Sequence, residues 1–152
     1  MKNLNLLHYG IHKNSGKNLG DKVHFFLIRK WFNQFFYPTV IKWQLKQVWN
    51  NNTFQDIKKI NKNVDLILIG GGGLFLIDQK NSYVLNSGWQ LNMSNKLMSK
   101  IEKPIVVFGV GYNRFRKQKE FNSKFRTSIN ILNKKSILFG LRNKGSIKKV
   151  ST

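Results

Sequence analysis

Short apolar runs recur along this chain, and stretches with helical spacing lie between them. Residues 3 to 9, NLNLLHY, predict a first strand. A polar stretch follows, GIHKNSGKNLGD, punctuated by Gly10, Gly16 and Gly20. Asp21 to Phe36 predicts a helix. At about 100° per residue, Lys22, Arg29, Lys30 and Asn33 fall on one narrow face. Val23, Phe25, Leu27, Ile28, Trp31, Phe32, Phe35 and Phe36 cover most of the rest. That pattern predicts a helix largely buried against a sheet. Its aromatic wealth would also suit a membrane surface, but core packing is the commoner use. Pro38 ends it.

Residues 39 to 46, TVIKWQLK, are β-rich and predict a second strand. Thr53 to Ile60 predicts a short helix with Thr53 as its cap. Residues 64 to 69, VDLILI, form an apolar run of strand length, the pattern of a strand buried on both faces. Residues 89 to 101 predict a helix. Pro104 then opens the buried run IVVFG. Gln118 to Leu132 suits a helix and Ser136 to Leu141 a last strand, and another helix begins within NKGSIKKVST. Strands alternating with helices predict an α/β fold. The expectation is an open, mostly parallel Rossmann-like sheet with helices on both faces, in one domain over residues 1–152.

The stretch DLILIGGGGLFL, residues 65 to 76, raises a sharper question. Four glycines in a row, Gly70 to Gly73, mark a place where no side chain is tolerated or where the backbone must bend. In parallel α/β sheets ligands bind outside the carboxyl ends of the strands. Three glycine-bearing turns are expected at such ends: Asn18-Leu19-Gly20-Asp21, Gly70–Gly73 and Gly109-Val110-Gly111.

Charge changes the picture next. The chain carries 27 Lys+Arg against 6 Asp+Glu, a formal net charge of +21. Such an excess suits an anionic partner: nucleic acid, anionic membrane or a phosphorylated substrate. The basic residues are dispersed, with pairs such as Lys58-Lys59 and Lys148-Lys149 and no long tract. They read as solvated lysines in a chain rich in Asn, Lys and Ile, and no specific nucleic acid is expected. There are no cysteines, which excludes disulfides and thiolate metal sites. No stretch reads as a membrane span or a signal peptide. The cytoplasm is the default location, with the inner membrane surface as the place where the charge would act.

Familiar phosphate motifs fail. GIHKNSGKN has five residues between its glycines where a Walker A loop has four, and Asn18 where a Ser or Thr belongs. GVGYNR starts like a dinucleotide fingerprint but carries Arg114 at the third glycine position. No bound cofactor and no metal site are expected. The histidines, His8, His12 and His24, lack ligand spacing. His8 and His24 read as structural and His12 as a loop residue. No nucleophile–base pair can be named, so the catalytic residues stay unassigned. Asp21, one of few acids, stands at a helix start. There it either complements the helix dipole or accepts hydrogen bonds from substrate hydroxyls.

Taken together, NLGDKVHFFLIRKWF, DLILIGGGGLFL, KPIVVFGVGYNRF and LFGLRNKGS resemble the polysaccharide pyruvyl transferase family. They match its Asn-x-Gly-Asp opening, its Asp-strand-glycine run, its Lys-Pro-strand-Gly-x-Gly and its Arg-acid-x-x-Ser signature. Asn143 stands at the acid's place. The resemblance implies the amino-terminal domain of a GT-B-like two-domain fold. It also implies pyruvyl transfer from phosphoenolpyruvate to a sugar of a cell-surface polysaccharide. Substrate would then be held by Asn18, Gly20, Asp21, Gly70, Gly71, Gly72, Gly73, Gly109, Gly111, Arg142 and Ser146. The implied partners are a sugar or lipid-linked saccharide acceptor, phosphoenolpyruvate once a second domain is supplied, and a separate carboxyl-terminal chain if the enzyme is split. Two other readings compete: a non-catalytic basic remnant on nucleic acid or anionic membrane, and a glycosyltransferase-like domain with another donor.

Overall fold

Strands and helices alternate along the described residues of the computed structural model, which are 3–11, 19–77, 85–114 and 120–151, with the backbone alone for Asp21 and Lys22. In chain order they are β1 (Asn3–Gly10), α1 (Leu19–Phe35), β2 (Val40–Gln47), α2 (Phe54–Asn63), β3 (Leu66–Phe75), α3 (Asn95–Ser99), β4 (Ile105–Tyr112), α4 (Ser123–Lys135), β5 (Ser136–Leu141) and α5 (Lys144–Val150). The strands form one sheet in the order β2-β1-β3-β4-β5, with every pairing parallel. The chain winds outward from β1 to β2, then from β3 to β5 the other way. The carboxyl ends of β1 and β3 are therefore the topological switch point.

Period-two alternation sorts the strand residues onto two faces. Leu7, Tyr9, Ile67, Ile69, Ile105 and Val107 pack on one, with Ile57 and Ile60 of α2, Met98 of α3 and Phe125, Ile129 and Leu132 of α4. Leu6, Leu66, Leu68 and Val106 pack on the other, under Ile28 and Phe32 of α1. Tyr9 is buried and donates to Asn52 Oδ1 at 2.6 Å. Burial, and secondarily the charge of Asp56, pushes its hydroxyl well above the ordinary range.

Three expectations are corrected. First, the strand does not stop at the glycines. β3 runs through Gly70–Gly73, and Gly70 and Gly72 are in register with Phe108 and Val110. β4 likewise includes Gly109 and Gly111. These glycines lie inside the carboxyl halves of strands rather than in turns. A register shift follows Gly72, which is how the ladder absorbs the positive φ of Gly71 and Gly72.

Second, residues 89–101 are helical only over α3. Residues 86–90 turn and bend, with φ +85° at Gly88, and Ser87, Trp89, Leu91 and Met93 are all buried. Trp89 Nε1 donates to Ser128 at 2.7 Å, and Asn92 N donates to the Val48 carbonyl at 2.8 Å.

Third, α1 is not buried round its circumference. Phe25, Ile28 and Phe32 face the sheet, while Phe26 and Phe35 are 65% and 67% exposed. A helix lying on one sheet face buries one stripe, and no described element covers its other side. Arg29, expected on the polar face, lies over the Trp43 ring at 4.9 Å, and burial lowers its guanidinium pKa. Asn33 beside it accepts a hydrogen bond from Trp43 Nε1 at 3.0 Å.

Thr53 caps α2 as expected. Its hydroxyl accepts from Asp56 N at 3.2 Å, and its N–H donates to the Asp56 carboxylate at 2.8 Å, closing a capping box. The Thr53 backbone bond holds the Asp56 carboxyl below its ordinary pKa. Burial opposes this, and the Thr53 hydroxyl and Lys46, whose ammonium is 3.6 Å away, add to it. A lowered folded-state pKa stabilises the fold above the unfolded value and loses that contribution as pH falls through the folded value. Asp56→Asn is therefore expected to cost about 1 kcal/mol at neutral pH. The difference from the parent should shrink as the pH falls below about 4, where the Asp56 carboxyl protonates first in the unfolded chain and then, at its lowered value, in the folded one. Urea unfolding at the two pH values checks this.

Glycine substitutions test the sheet itself. A Cβ at Gly70 would sit 2.5 Å from the Phe108 carbonyl oxygen, which is strand backbone. At Gly140 it would meet only ordinary contacts at 3.7 Å. Gly70→Ala is expected to lose about 2 kcal/mol. Gly140→Ala is expected to be neutral or to gain up to about 1 kcal/mol from the unfolded state. Equal melting temperatures for the two variants would contradict the strand spacing described.

Candidate functional site

The carboxyl edge of the sheet holds most of the residues singled out by sequence, and it brings them together in two groups. The first lies at the switch point, under α1. Gly71 has φ +82° and Gly109 has φ +66°, and the Ile28 Cδ1 methyl is 3.5 Å from where a Cβ at Gly71 would stand and 3.7 Å from one at Gly109. The backbone of α1 at His24 and Phe25 is as close to the Gly71 position, at 3.5–3.6 Å. These two glycines let α1 settle directly onto β3 and β4. His8 lies buried beside them. Its ring stacks on Phe25 at 4.6 Å, and its Nε2 is 3.1 Å from the Gly70 carbonyl, which requires the proton on Nε2. A Cβ at Gly10 would meet the same carbonyl at 3.1 Å. His8 is thus a packing residue, as read from sequence.

The second group closes over β3, β4 and the end of β5. The Asn113 amide fills the place where a Gly73 side chain would be. The Arg142 guanidinium lies on Gly111, with its Cζ and Nη2 2.8 Å from a would-be Cβ. The two side chains meet, Arg142 Nη2 donating to Asn113 Oδ1 at 3.4 Å. Backbone bonds hold both in place: Asn113 N donates to the Phe75 carbonyl at 2.8 Å, and Arg142 N to the Val110 carbonyl at 3.0 Å. Among the described residues no acid forms an ion pair with Arg142. The result is an exposed guanidinium fork beside a half-buried amide on a glycine floor. Its chemistry suits an anionic oxygen, because the planar guanidinium fork donates in pairs.

The close approach that the glycine run demands is therefore made, at two of its positions, by the chain itself. Phe108 fills it at Gly70 and Asn113 at Gly73, while Gly71 is held to glycine by its φ of +82° with α1 in ordinary contact. Gly72, with φ +99°, stays in the ladder opposite Val110.

Ser146 and Asn143 have defined structural contacts. Asn143 Oδ1 accepts from Ser146 N at 2.8 Å and caps α5, while the buried Ser146 hydroxyl accepts from Tyr112 N at 3.0 Å. Asparagine caps a helix about as well as aspartate, so the substitution at this place leaves the cap intact. Gly20 and Asp21 belong to the first turn of α1, which begins at Leu19, two residues before the expected start. That turn lies one turn before the contact with Gly71. Asn18 and His12 lie outside the described residues.

Asn113 was not singled out by sequence. Its only signal is its place two residues after Gly111 in GVGYN, with no motif of its own. Among the described residues no three His, Cys, Asp or Glu side chains gather closely enough to hold a metal ion. No described helix is long and apolar enough to cross a membrane. A cavity of about 830 Å³ lies at the opposite edge of the sheet, lined by Phe54, Lys58, Asn61, Lys100 and Lys135, and shares no residue with this site.

Comparison with known proteins agrees with the motifs just located. Neither the curated proteins nor the solved structures give a match. A model of one family, described as polysaccharide pyruvyl transferase, matches residues 18–151, which include every strand from β2 to β5 and both glycine clusters. By that coverage, the chain belongs to the polysaccharide pyruvyl transferase family.

Proposed function

We propose that this chain takes part in forming a pyruvate ketal on a sugar of a cell-surface polysaccharide, in the cytoplasm, with phosphoenolpyruvate as the donor. In that reaction the enol carbon accepts both oxygens of a sugar hydroxyl pair. The methylene takes one hydroxyl proton and becomes the methyl group, and phosphate leaves with the other. The family implies a sugar acceptor. The observation that carries the finer reading is the Arg142–Asn113 pair on the glycine floor of β3 and β4. It supports an anionic substrate group at this edge, a phosphate of a lipid-linked saccharide acceptor.

Asp21, in the first turn of α1, is assigned the sugar hydroxyls, because a carboxylate accepts from two donors at once. Asn18 and Gly20 shape that same turn, and the glycines of β3 and β4 form the floor. Ser146 holds α5 against β4 and so positions Arg142. In this reading residues 1–152 form one acceptor-side domain, as in GT-B-like enzymes, and a second unit supplies most of the donor site. Phosphoenolpyruvate brings both a carboxylate and a phosphate, which one guanidinium and one amide do not match.

Three measurements test the proposal. The chain alone is expected to release no phosphate in an acceptor-dependent way, and release surviving stringent purification would remove the need for a second unit. Calorimetric titration with saccharide phosphates should show Arg142→Lys binding about tenfold more weakly, since lysine keeps the charge but loses the planar fork. Asp21→Asn is expected to cost about 1.5–3 kcal/mol in affinity for each charged bond lost, with the fold intact. Unchanged affinity in both folded variants would place the acceptor elsewhere.

A further inference from the structure

The outward side of α1 and the strip of sheet beside it form an apolar surface that the pyruvyl reading does not use. Leu27, Trp31 and Phe35 follow one another at i, i+4 and i+8, and Leu27 and Trp31 are 56% and 45% exposed. Trp31 is stacked between Phe35 and Phe108, both rings 5.3 Å away and nearly parallel to it. Leu27, Ile28, Lys30, Trp31, Gln34 and Phe108 line a shallow groove of about 480 Å³. Leu19, Phe26 and Tyr37 add further exposed apolar surface, and Leu138 of β5 is half exposed. Single exposed apolar residues are ordinary, but a contiguous aromatic face is a binding surface.

The charge around it selects the occupant. Lys30 is the charged member of the groove lining, and no acid is among its residues. The acids with described partners are engaged elsewhere: Asp56 with Lys46, Asp65 with Asn5 N and Glu120 with Arg114. Glu102 lines the cavity at the opposite edge. A second copy would bring another +21 against this surface with no counter-charge in the groove. An anionic bilayer satisfies both features at once. Rings and aliphatic chains enter the headgroup boundary, and the basic excess meets lipid phosphates. Trp, Tyr and Lys are also the residues that settle at that boundary. α1 has 17 residues, with Lys22, Arg29 and Lys30 along it, so it lies on a membrane rather than across one.

We infer that the α1 face, centred on Leu27, Trp31 and Phe35, docks this protein on the surface of a membrane rich in anionic lipid. The inference does not rest on the pyruvyl reading: Ile28 and Phe108 touch the glycine floor from below the groove, but Asn113, Arg142 and Ser146 do not line it.

Vesicle sedimentation tests it, using phosphatidylcholine alone and an equal mixture with phosphatidylglycerol. The protein is expected on the mixed vesicles only. Leu27→Ser/Phe35→Ser, both at exposed positions, should partition at least tenfold less. Lys58→Ser/Lys62→Ser on α2, away from this face, should lose less. Brominated acyl chains should quench the parent protein's tryptophan emission, and Trp31→Phe should escape most of that quenching while keeping its ring against Phe108. Equal partitioning of the parent and the Leu27/Phe35 variant, or no quenching, would mean that dispersed lysines alone bind the vesicles and would overturn the docking face. Lipid-free dimerisation that the Leu27/Phe35 variant abolishes would overturn it in favour of a second copy. Melting temperatures of all variants, read alongside, separate these results from unfolding, and Trp31→Phe decides the matter if the double variant fails to fold.

Discussion

The close passage of β4, α1 and Asn113 against β3 is the constraint on which the rest of this structure depends. β3 is central in the sheet and buried on both sides, so every residue it exposes to a neighbour must fit. At Gly70 the neighbour is a backbone carbonyl of β4, at Gly71 the backbone of α1, and at Gly73 the Asn113 amide. Gly70 and Gly73 leave no room for a side chain, and the carbonyl at Gly70 is main chain, which cannot rotate aside. At Gly71 a Cβ would meet ordinary contacts at 3.5–3.6 Å, and it is the φ of +82° that calls for glycine. Glycine ordinarily weakens a strand interior by roughly 0.5–1 kcal/mol. Here it permits packing that a Cβ would block, and interior packing is felt to the last methyl group. The apolar residues on either side, Leu66 to Ile69 and Leu74 to Phe75, hold the strand in place.

Much of the fold could be read from hydrophobic period. β1, β2, β5 and the capped α2 stand within a few residues of where alternation and a capping threonine put them. Runs of one period over enough residues leave little ambiguity. The departures have separate physical causes. Glycine is a strong breaker in isolation, but β3 and β4 carry it because parallel neighbours supply the hydrogen bonds and the adjoining apolar residues supply the burial. The stretch from Ser87 to Met93 contains Gly88 at φ +85°, which turns the chain and rules out a continuous helix through it. Its tryptophan and methionine suit a helix by composition, but they are buried in a turning segment that Trp89 anchors on Ser128 of α4. On α1 the apolar residues outnumber those one sheet face can cover, so counting them overstated the burial.

The candidate site was legible in its backbone and not in its side chains. Glycines at strand ends announce a close approach, and a parallel sheet puts those ends on one edge. Which group makes the approach depends on distances that spacing does not carry. Asn113 is an ordinary residue in sequence, and it matters only because β4 ends one residue before it, next to Phe75. Arg142 was visible through its motif, and its contact with Gly111 gives the last glycine of β4 a purpose. Asn143 looked like a lost acid. As the cap of α5 it does what an acid would do there, holding the turn that carries Arg142 beside it.

The two faces of α1 are bound together by the same geometry. Ile28 sits over Gly71 and Gly109, and Phe25 stacks on His8. Leu27 is the neighbour of Ile28 on the helix, about 100° away, and Trp31 is one turn further along. Rotating the helix to bury Leu27, Trp31 and Phe35 would draw Ile28 off the glycines and Phe25 off His8. It would also part Arg29 and Asn33 from Trp43 on the far flank. The outward aromatic face therefore follows from how closely the glycines admit the inward one, and it can be covered only by something outside the described fold.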